Sequence, residues 1–386
     1  LAGAAAVDEL QFGQRALEGD SPDKEDSVGG PRWARGRGRG MVRPRMAALL
    51  AILALVVAGC GGDDNDGGAG QTGTTQAAGA CADQKLASPT DVTLILDFLP
   101  NPVHVAIYQG LAAGTYKANN INLKVQTPTS TSDTLRLLAT DRADFGIVSL
   151  LDFLTSYQQR QPITAFMALE QRPLGSLLAL EKSGITSPKQ LEGQLVGVTG
   201  VPSDLAAVKS MVTYDGGDAS KVKTVTIGFN AVQNLISGKV KAAVGFWNAE
   251  GVQLQQQQPT KVFKLDEFGA PPYPELVAFT RNQTIQGNPA LVCAFVKATV
   301  DGYQQATANP DQALQNLAEQ AEGLSLSDAK PQYEALAPIY KADAPVYGRI
   351  DLKVLSDYLT WAKQAKIMDL SDDPSKFATD KFLPSA

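Results

Sequence analysis

Four short stretches of this 386-residue chain place hydrogen-bonding or reactive side chains directly after runs that read as buried strands. LDFLPNPVHVAIY carries Asp97, Phe98, Asn101 and the only histidine of the chain, His104, around two prolines. DFGIVSL contains Ser149 and is followed by Asp152, and TGVPSD supplies Pro202 and Ser203. FWNAEG supplies Trp247, Asn248 and Glu250. A hydroxyl, an imidazole and a carboxylate are the parts of a hydrolytic triad. Any triad here would have to run through His104, and the chain has no G-x-S-x-G elbow. One histidine and three scattered cysteines cannot build a zinc site. TGVPSD opens a helix, where free N–H groups attract anions, but Pro202 removes one donor. No G-K-[ST] follows it, so it is not a Walker phosphate loop.

Each residue also has a plain structural role open to it. Asp97 can accept backbone N–H bonds across the two-proline corner, and Asn101 can do the same. His104 sits near a helix start, where the dipole disfavours the imidazolium; it reads as a packing group or a neutral pocket-lining one. Ser203 is at least a helix cap, and Asp152 reads as an early-turn helix residue. Asn248 can cap the helix after its strand, with Glu250 in the first turn.

The elements that must hold these residues alternate in type. Val92–Phe98 is a β-branched apolar run, Val103–Tyr116 repeats apolar residues at helical spacing, and Ile121–Thr127 alternates as a half-buried strand does. Thr131–Leu138 reads helical and Asp144–Leu150 as a strand. A second βαβα unit starts at Gly193–Gly200 and runs to the strand Lys241–Trp247, followed by a helix with a solvated glutamine run. Beyond Pro274–Thr280 the chain looks helical, with Asn288 as N-cap, Pro289 at the first helical position and Leu291, Val292, Phe295, Val296, Val300 and Tyr303 on one stripe. This rhythm predicts an α/β fold of two lobes, each a mixed, mostly parallel sheet flanked by helices. The segments Leu174–Leu180 and Glu275–Thr280 would be the two crossover strands, and ligands in such sheets sit beyond the carboxyl ends of the strands. Lobe 1 is expected over 91–175 with 276–386, and lobe 2 over 176–275.

Composition sets the class. Hydrophobic residues at 44% and charged residues at 19% describe a globular body, and a net charge of -6 leaves no footprint for nucleic acid. Arg43 and Arg45 precede an apolar run too short to span a bilayer comfortably. That run closes on Val57-Ala58-Gly59-Cys60, which resembles the lipobox at which bacterial lipoproteins are cleaved and lipidated. Residues 1–59 thus read as an upstream extension and signal peptide, and 60–90 as lipidated Cys60 and a Gly-rich flexible tether. This implies an extracytoplasmic body anchored to the cell membrane through Cys60. Outside the cytoplasm Cys81 and Cys293 either pair or stay as two separate thiols.

LDFLPNPVHVAIYQG, QRPLGSLLAL, LEGQLVGVTGVPSD and FWNAEGVQL, in this order, resemble blocks of the pyrimidine-precursor binding proteins of thiamine-related ABC importers. The resemblance runs from about Asp91 through the C-terminal helices. It implies a periplasmic-binding-protein type II fold, a monomer that closes on a small heteroaromatic ligand and delivers it to an ABC permease, with no cofactor. Riboflavin or a sulfonate- or nitrate-type anion is the alternative ligand. A branch of the same superfamily is a pyrimidine-forming enzyme with its own histidine and a cysteine-rich run; this chain has no adjacent cysteines, and its histidine belongs to the shared corner. On that resemblance Trp247 would stack on the ring while Asn248 or Glu250 takes its amino edge and Asp97 serves as second acceptor. Phe98, Asn101, His104, Ser149, Pro202 and Ser203 would complete the pocket.

Overall fold

The computed structural model describes Cys81 and residues 84–384. Cys60, the expected signal peptide and most of the expected tether lie outside the described residues. β1 (Thr90–Ile95) leads through a corner and a 3-10 turn (Pro102–His104) into α1 (Val105–Ala113) and α2 (Thr115–Ala118). β2 (Ile121–Gln126), α3 (Thr131–Ala139), β3 (Phe145–Ser149), α4 (Leu150–Gln158) and β4 (Ile163–Ala168) follow. Then come β5 (Gly175–Leu180), β6 (Leu195–Val198), α5 (Pro202–Tyr214), β7 (Lys223–Thr226), α6 (Ala231–Ile236) and β8 (Ala242–Phe246). A π-helical turn (Trp247–Gly251) opens α7 (Val252–Gln257), and β9 (Thr260–Lys264) and β10 (Leu276–Arg281) complete the strands. The chain ends in α8 (Asn282–Gly287), α9 (Pro289–Ala308), α10 (Pro310–Gln320), α11 (Leu326–Leu336) and α12 (Leu352–Gln364).

Two five-stranded sheets result, ordered β2-β1-β3-β10-β4 and β7-β6-β8-β5-β9. In the first, β1 runs parallel to β2 and β3, and β10 inserts antiparallel between β3 and β4. In the second, β6 runs parallel to β7 and β8, and β5 is antiparallel to β8 and β9. Both sheets are mixed, with parallel and antiparallel pairings in equal number. The chain changes sheet between Ala168 and Gly175 and returns between Lys264 and Leu276. Each segment read as a crossover strand is therefore the strand that follows a crossing, and it inserts antiparallel into the sheet it enters.

The all-apolar run of β5 follows from burial on both faces. Leu177 and Ala179 join a core shared with Val148, Phe153 and Phe279 of the first sheet's side, whereas Leu178 and Leu180 join a separate core with Leu235 and Leu254. A third cluster under the first sheet centres on Phe145, Phe166 and Phe295, with ring centroids 4.4–6.0 Å apart. The expected stripe of α9 supplies Phe295 and its neighbours to that cluster. Two local differences have simple causes. The helix expected over Val103–Tyr116 breaks at Gly114, whose φ of 74° ends α1 in a left-handed cap. β1 stops at Ile95, where its partner β2 also ends: Leu96 makes the last bond, to Gln126 O at 3.0 Å.

α9 and α10 pack on α1, and α11 touches both the turn before α1 and the π-helical turn after β8. No helix among the described residues is long and apolar enough to cross a membrane. Cys81 and Cys293 form a disulfide with Cα atoms 5.5 Å apart across 212 positions of sequence. Closing so long a loop restricts the unfolded chain, so Cys293→Ser is expected to lower stability by about 2–5 kcal/mol. Urea unfolding of the variant beside the parent, with and without reductant, checks this; the reductant should affect only the parent.

Candidate functional site

The carboxyl ends of β1, β3, β6 and β8 open on one cleft between the two sheets. Asp97, Phe98, Ser149, Asp152, Thr199, Ser203, Asp204, Phe246 and Glu250 line it. Gly175 and Glu275, from the two sheet-changing segments, close its floor, and Tyr273, Tyr358 and Trp361 add an aromatic side. Five carboxylates face this cleft, and no lysine, arginine or histidine is among its lining residues.

The corner after β1 is built around His104, which is fully buried. Asn101 Oδ1 accepts the Val103 N–H at 3.0 Å and caps the 3-10 turn. The Asn101 N–H donates to His104 Nδ1 at 3.3 Å, which assigns the proton to Nε2. Nε2 then donates to Asp97 Oδ1 at 2.9 Å. His104 is thus a prop behind Asp97, with both ring nitrogens used. Tyr340 OH donates to the Pro102 carbonyl and fastens the corner from behind.

Asp152 joins the lobes. Its Oδ1 accepts the Ser203 N–H at 3.1 Å and its Oδ2 accepts Ser203 Oγ–H at 2.8 Å, both from the start of α5. Ser149 Oγ, which caps α4, donates to Oδ2 at 2.6 Å. Burial pushes the Asp152 carboxyl above its usual range, against these hydrogen bonds. Asp204 Oδ2 accepts from Thr199 N and Oγ1 (both 2.6 Å) and from Gly200 N (3.0 Å), fixing the turn before α5. Glu275 Oε2 accepts from Leu174 N, Gly175 N and Tyr273 OH at 3.0–3.1 Å and ties the two crossings together. Burial raises both of these carboxyls as well.

Asp97 and Glu250 are the exceptions. Asp97 accepts from His104 alone among the described residues, and Glu250 is met only by backbone N–H groups, that of Phe246 at 3.1 Å on Oε2 and its own. One oxygen of each lies unmatched on the cleft wall, Asp97 from the first lobe and Glu250 from the second. Burial, reinforced by the charges of Asp204 and Asp97, lifts the Glu250 carboxyl from an ordinary 4.5 to about 7.

The structure brings Asp97, Phe98, Ser149, Ser203 and Glu250 to the cleft wall, and Asn101, His104, Pro202, Trp247 and Asn248 are not on it. Trp247 is a clamp: its Nε1–H donates to Pro173 O at 2.9 Å, its N–H to Leu174 O at 3.1 Å, and Lys264 Nζ lies 4.0 Å over its ring. Phe98 and Phe246 reach the cleft wall as well as Tyr273, Tyr358 and Trp361, with Phe98 edge-on to Phe229 of the opposite lobe at 4.5 Å. Asn248 caps no helix; it is fully buried and neither polar atom of its side chain has a partner. Pro202 occupies the first position of α5, where no donor is needed. Sequence reasoning missed Asp204 and Glu275 as wall residues. Both follow glycine- or proline-rich turns, which was the available signal. Tyr358 and Trp361 arrive from α12 with no local signal. No cluster of residues suited to a metal ion occurs among the described residues.

Comparison with known proteins agrees with this architecture. The family described as NMT1/THI5 like matches residues 101–313, more than half of the chain. A formylaminopyrimidine-binding protein of Halalkalibacterium halodurans is 27% identical over 225 residues, covering 58% of this chain and 68% of that protein. A 4-amino-5-hydroxymethyl-2-methylpyrimidine phosphate synthase of Legionella pneumophila is 28% identical over 302 residues, covering 76% and 92%. A Candida albicans protein described as having the generic periplasmic binding protein fold superposes with a TM-score of 0.60 at 16% identity, covering 77% of this chain and 98% of that one.

Two measurements test the geometry. Asp152→Ala strips the acceptor from one buried and two part-buried donors, so urea unfolding should show a loss of about 1–3 kcal/mol. Glu250 holds its proton more tightly folded than unfolded, so its contribution to stability is fully present below pH 4.5 and is lost as pH rises through about 7. Between those values the parent should lose about 3 kcal/mol that Glu250→Gln does not lose, measured as the difference of two pH series.

Proposed function

Because the chain belongs to the NMT1/THI5-like family, we propose that it is the binding protein of an ABC importer for a thiamine pyrimidine precursor, formylaminopyrimidine or a close relative. One observation carries the reading: Asp97 and Glu250 offer unmatched carboxylate oxygens from opposite lobes, beside the faces of Phe98 and Phe246. An aminopyrimidine presents a flat π-face, an exocyclic NH2 and ring nitrogens along its edge. The two phenyl rings suit the face, and the two carboxyls suit the edge. Lying between the lobes, such a ligand would hold the cleft shut, which is the state a permease must distinguish from the open one.

The same residues favour binding over catalysis. His104, the one imidazole, is buried behind Asp97 with both nitrogens engaged, so it has none free to move a proton on a ligand. Cys81 and Cys293 are joined in a disulfide on the body of the protein, which suits an oxidising compartment. That agrees with export and with anchoring through a lipid on Cys60, and mass spectrometry of the mature N-terminus in its native host would test the anchor.

Ligand identity is tested by thermal unfolding of the folded body against hydroxymethylpyrimidine, formylaminopyrimidine, thiamine, riboflavin and taurine. A ligand present at a hundred times its dissociation constant should add about 2.7 kcal/mol of stability. A rise with pyrimidines alone is expected; a rise only with riboflavin or taurine overturns the ligand. Asp97→Asn is expected to fold normally and to bind the pyrimidine at least ~10-fold more weakly, the equivalent of one lost hydrogen bond to a charged group.

A further inference from the structure

Resting on the pyrimidine reading, we propose that the bound ligand and Glu250 share one proton, and that the cleft is thereby selective for uncharged or cationic aminopyrimidines and rejects their anionic derivatives, phosphate esters above all.

The cleft wall carries Asp97, Asp152, Asp204, Glu250 and Glu275 with no basic side chain. Three of them are satisfied by the protein: Asp152 through Ser149 and Ser203, Asp204 through Thr199 and Gly200, and Glu275 through Leu174, Gly175 and Tyr273. Glu250 is more than nine-tenths buried and is met only by backbone N–H groups, those of Phe246 and of Glu250 itself. A buried ionised carboxylate met by no cation and no side-chain donor is costly, and a proton or a cationic partner relieves it.

The surroundings give no other relief. Asp97 after β1, Asp204 of α5 and Glu275 before β10 face the cleft with Glu250, and Glu170, beyond β4, is fully buried. β5 and β8 bring no charge to the π-helical turn. β9 brings Lys264, whose ammonium is held over Trp247, and Lys261, which pairs with Glu181 at 3.3 Å. α11, packed on the same turn, carries Asp328, Lys330, Tyr333 and Glu334, with Lys330 directed to Asp311 at 3.7 Å. The rise of the Glu250 carboxyl to about 7 follows from this setting.

An aminopyrimidine answers it. Its ring nitrogen accepts a proton or a hydrogen bond, and the amino group on the adjacent carbon donates one. A carboxylic acid meets that edge with two parallel hydrogen bonds, O–H to ring nitrogen and N–H to carbonyl oxygen. A carboxylate meets the protonated ring with the same two bonds. Either way the pair holds one proton, so binding above the Glu250 range must take one up from solvent. A phosphate ester adds further negative charge among five carboxylates and has no cation to meet it.

The test is titration calorimetry of the disulfide-intact protein with hydroxymethylpyrimidine at pH 8, in two buffers of different ionisation enthalpy. Uptake of about one proton per ligand is expected, with no uptake by Glu250→Gln. Should that variant fail to fold, the parent alone decides: its Kd should rise about tenfold per pH unit above pH 7. The phosphate ester of the same pyrimidine should bind at least ~100-fold more weakly than the alcohol. Pyrimidine binding without proton uptake, or an ester bound within a few-fold of the alcohol, overturns this proposal and leaves the pyrimidine reading intact. Absence of binding by every pyrimidine overturns both.

Discussion

The bond system on Asp152 is the constraint from which the cleft takes its form. A carboxylate buried between two lobes must be fully hydrogen-bonded or it would be expelled. Here the donors come from both sides: Ser149 at the start of α4 and the amide and hydroxyl of Ser203 at the start of α5. Two helix starts converge on one anion, where their dipoles favour it. The lobes therefore meet at a fixed point, and the rest of the cleft wall is placed relative to it. A hydrophobic core runs continuously behind this point, from Phe153 and Phe279 to Val208 and Met211.

From that point outward, the acidic residues divide by how well the protein itself satisfies them. Asp204 and Glu275 hold the backbone turns next to the cleft, each through three donors. Their charge is spent on architecture. Asp97 and Glu250 are held loosely enough to have capacity for something else, and they stand on opposite lobes. Well-satisfied and poorly satisfied carboxyl groups look identical in sequence; the difference lies in the donors that surround them.

Trp247 shows how a residue type can mislead. A tryptophan directly after a buried strand, next to Asn248 and Glu250, has the composition of a stacking platform. Its indole instead faces away from the cleft and clamps Pro173 in the first sheet-changing segment. The aromatic side chains that stand on the cleft wall near this point are its neighbour Phe246 and Phe98. The bonds of Trp247 to the Pro173 and Leu174 carbonyls, at the start of a π-helical turn, hold it there.

The sequence alone determined the elements and where a site must lie. Strand runs such as GSLLAL are apolar throughout because both faces are buried, and Asn288-Pro289 announces α9 by local capping chemistry. The alternation of such elements directs attention to a few strand ends, and Asp97, Phe98, Ser149, Ser203 and Glu250, which line the cleft, are legible there. Tertiary structure decided which neighbour of each pair turns inward, as with Phe246 over Trp247. It also decided that His104 supports Asp97 and that Ser203 serves Asp152 across the lobes. It brought Tyr358 and Trp361 in from α12, far along the chain. Local signals of capping and periodicity act over a few residues, whereas the satisfaction of a buried charge depends on donors from any part of the chain.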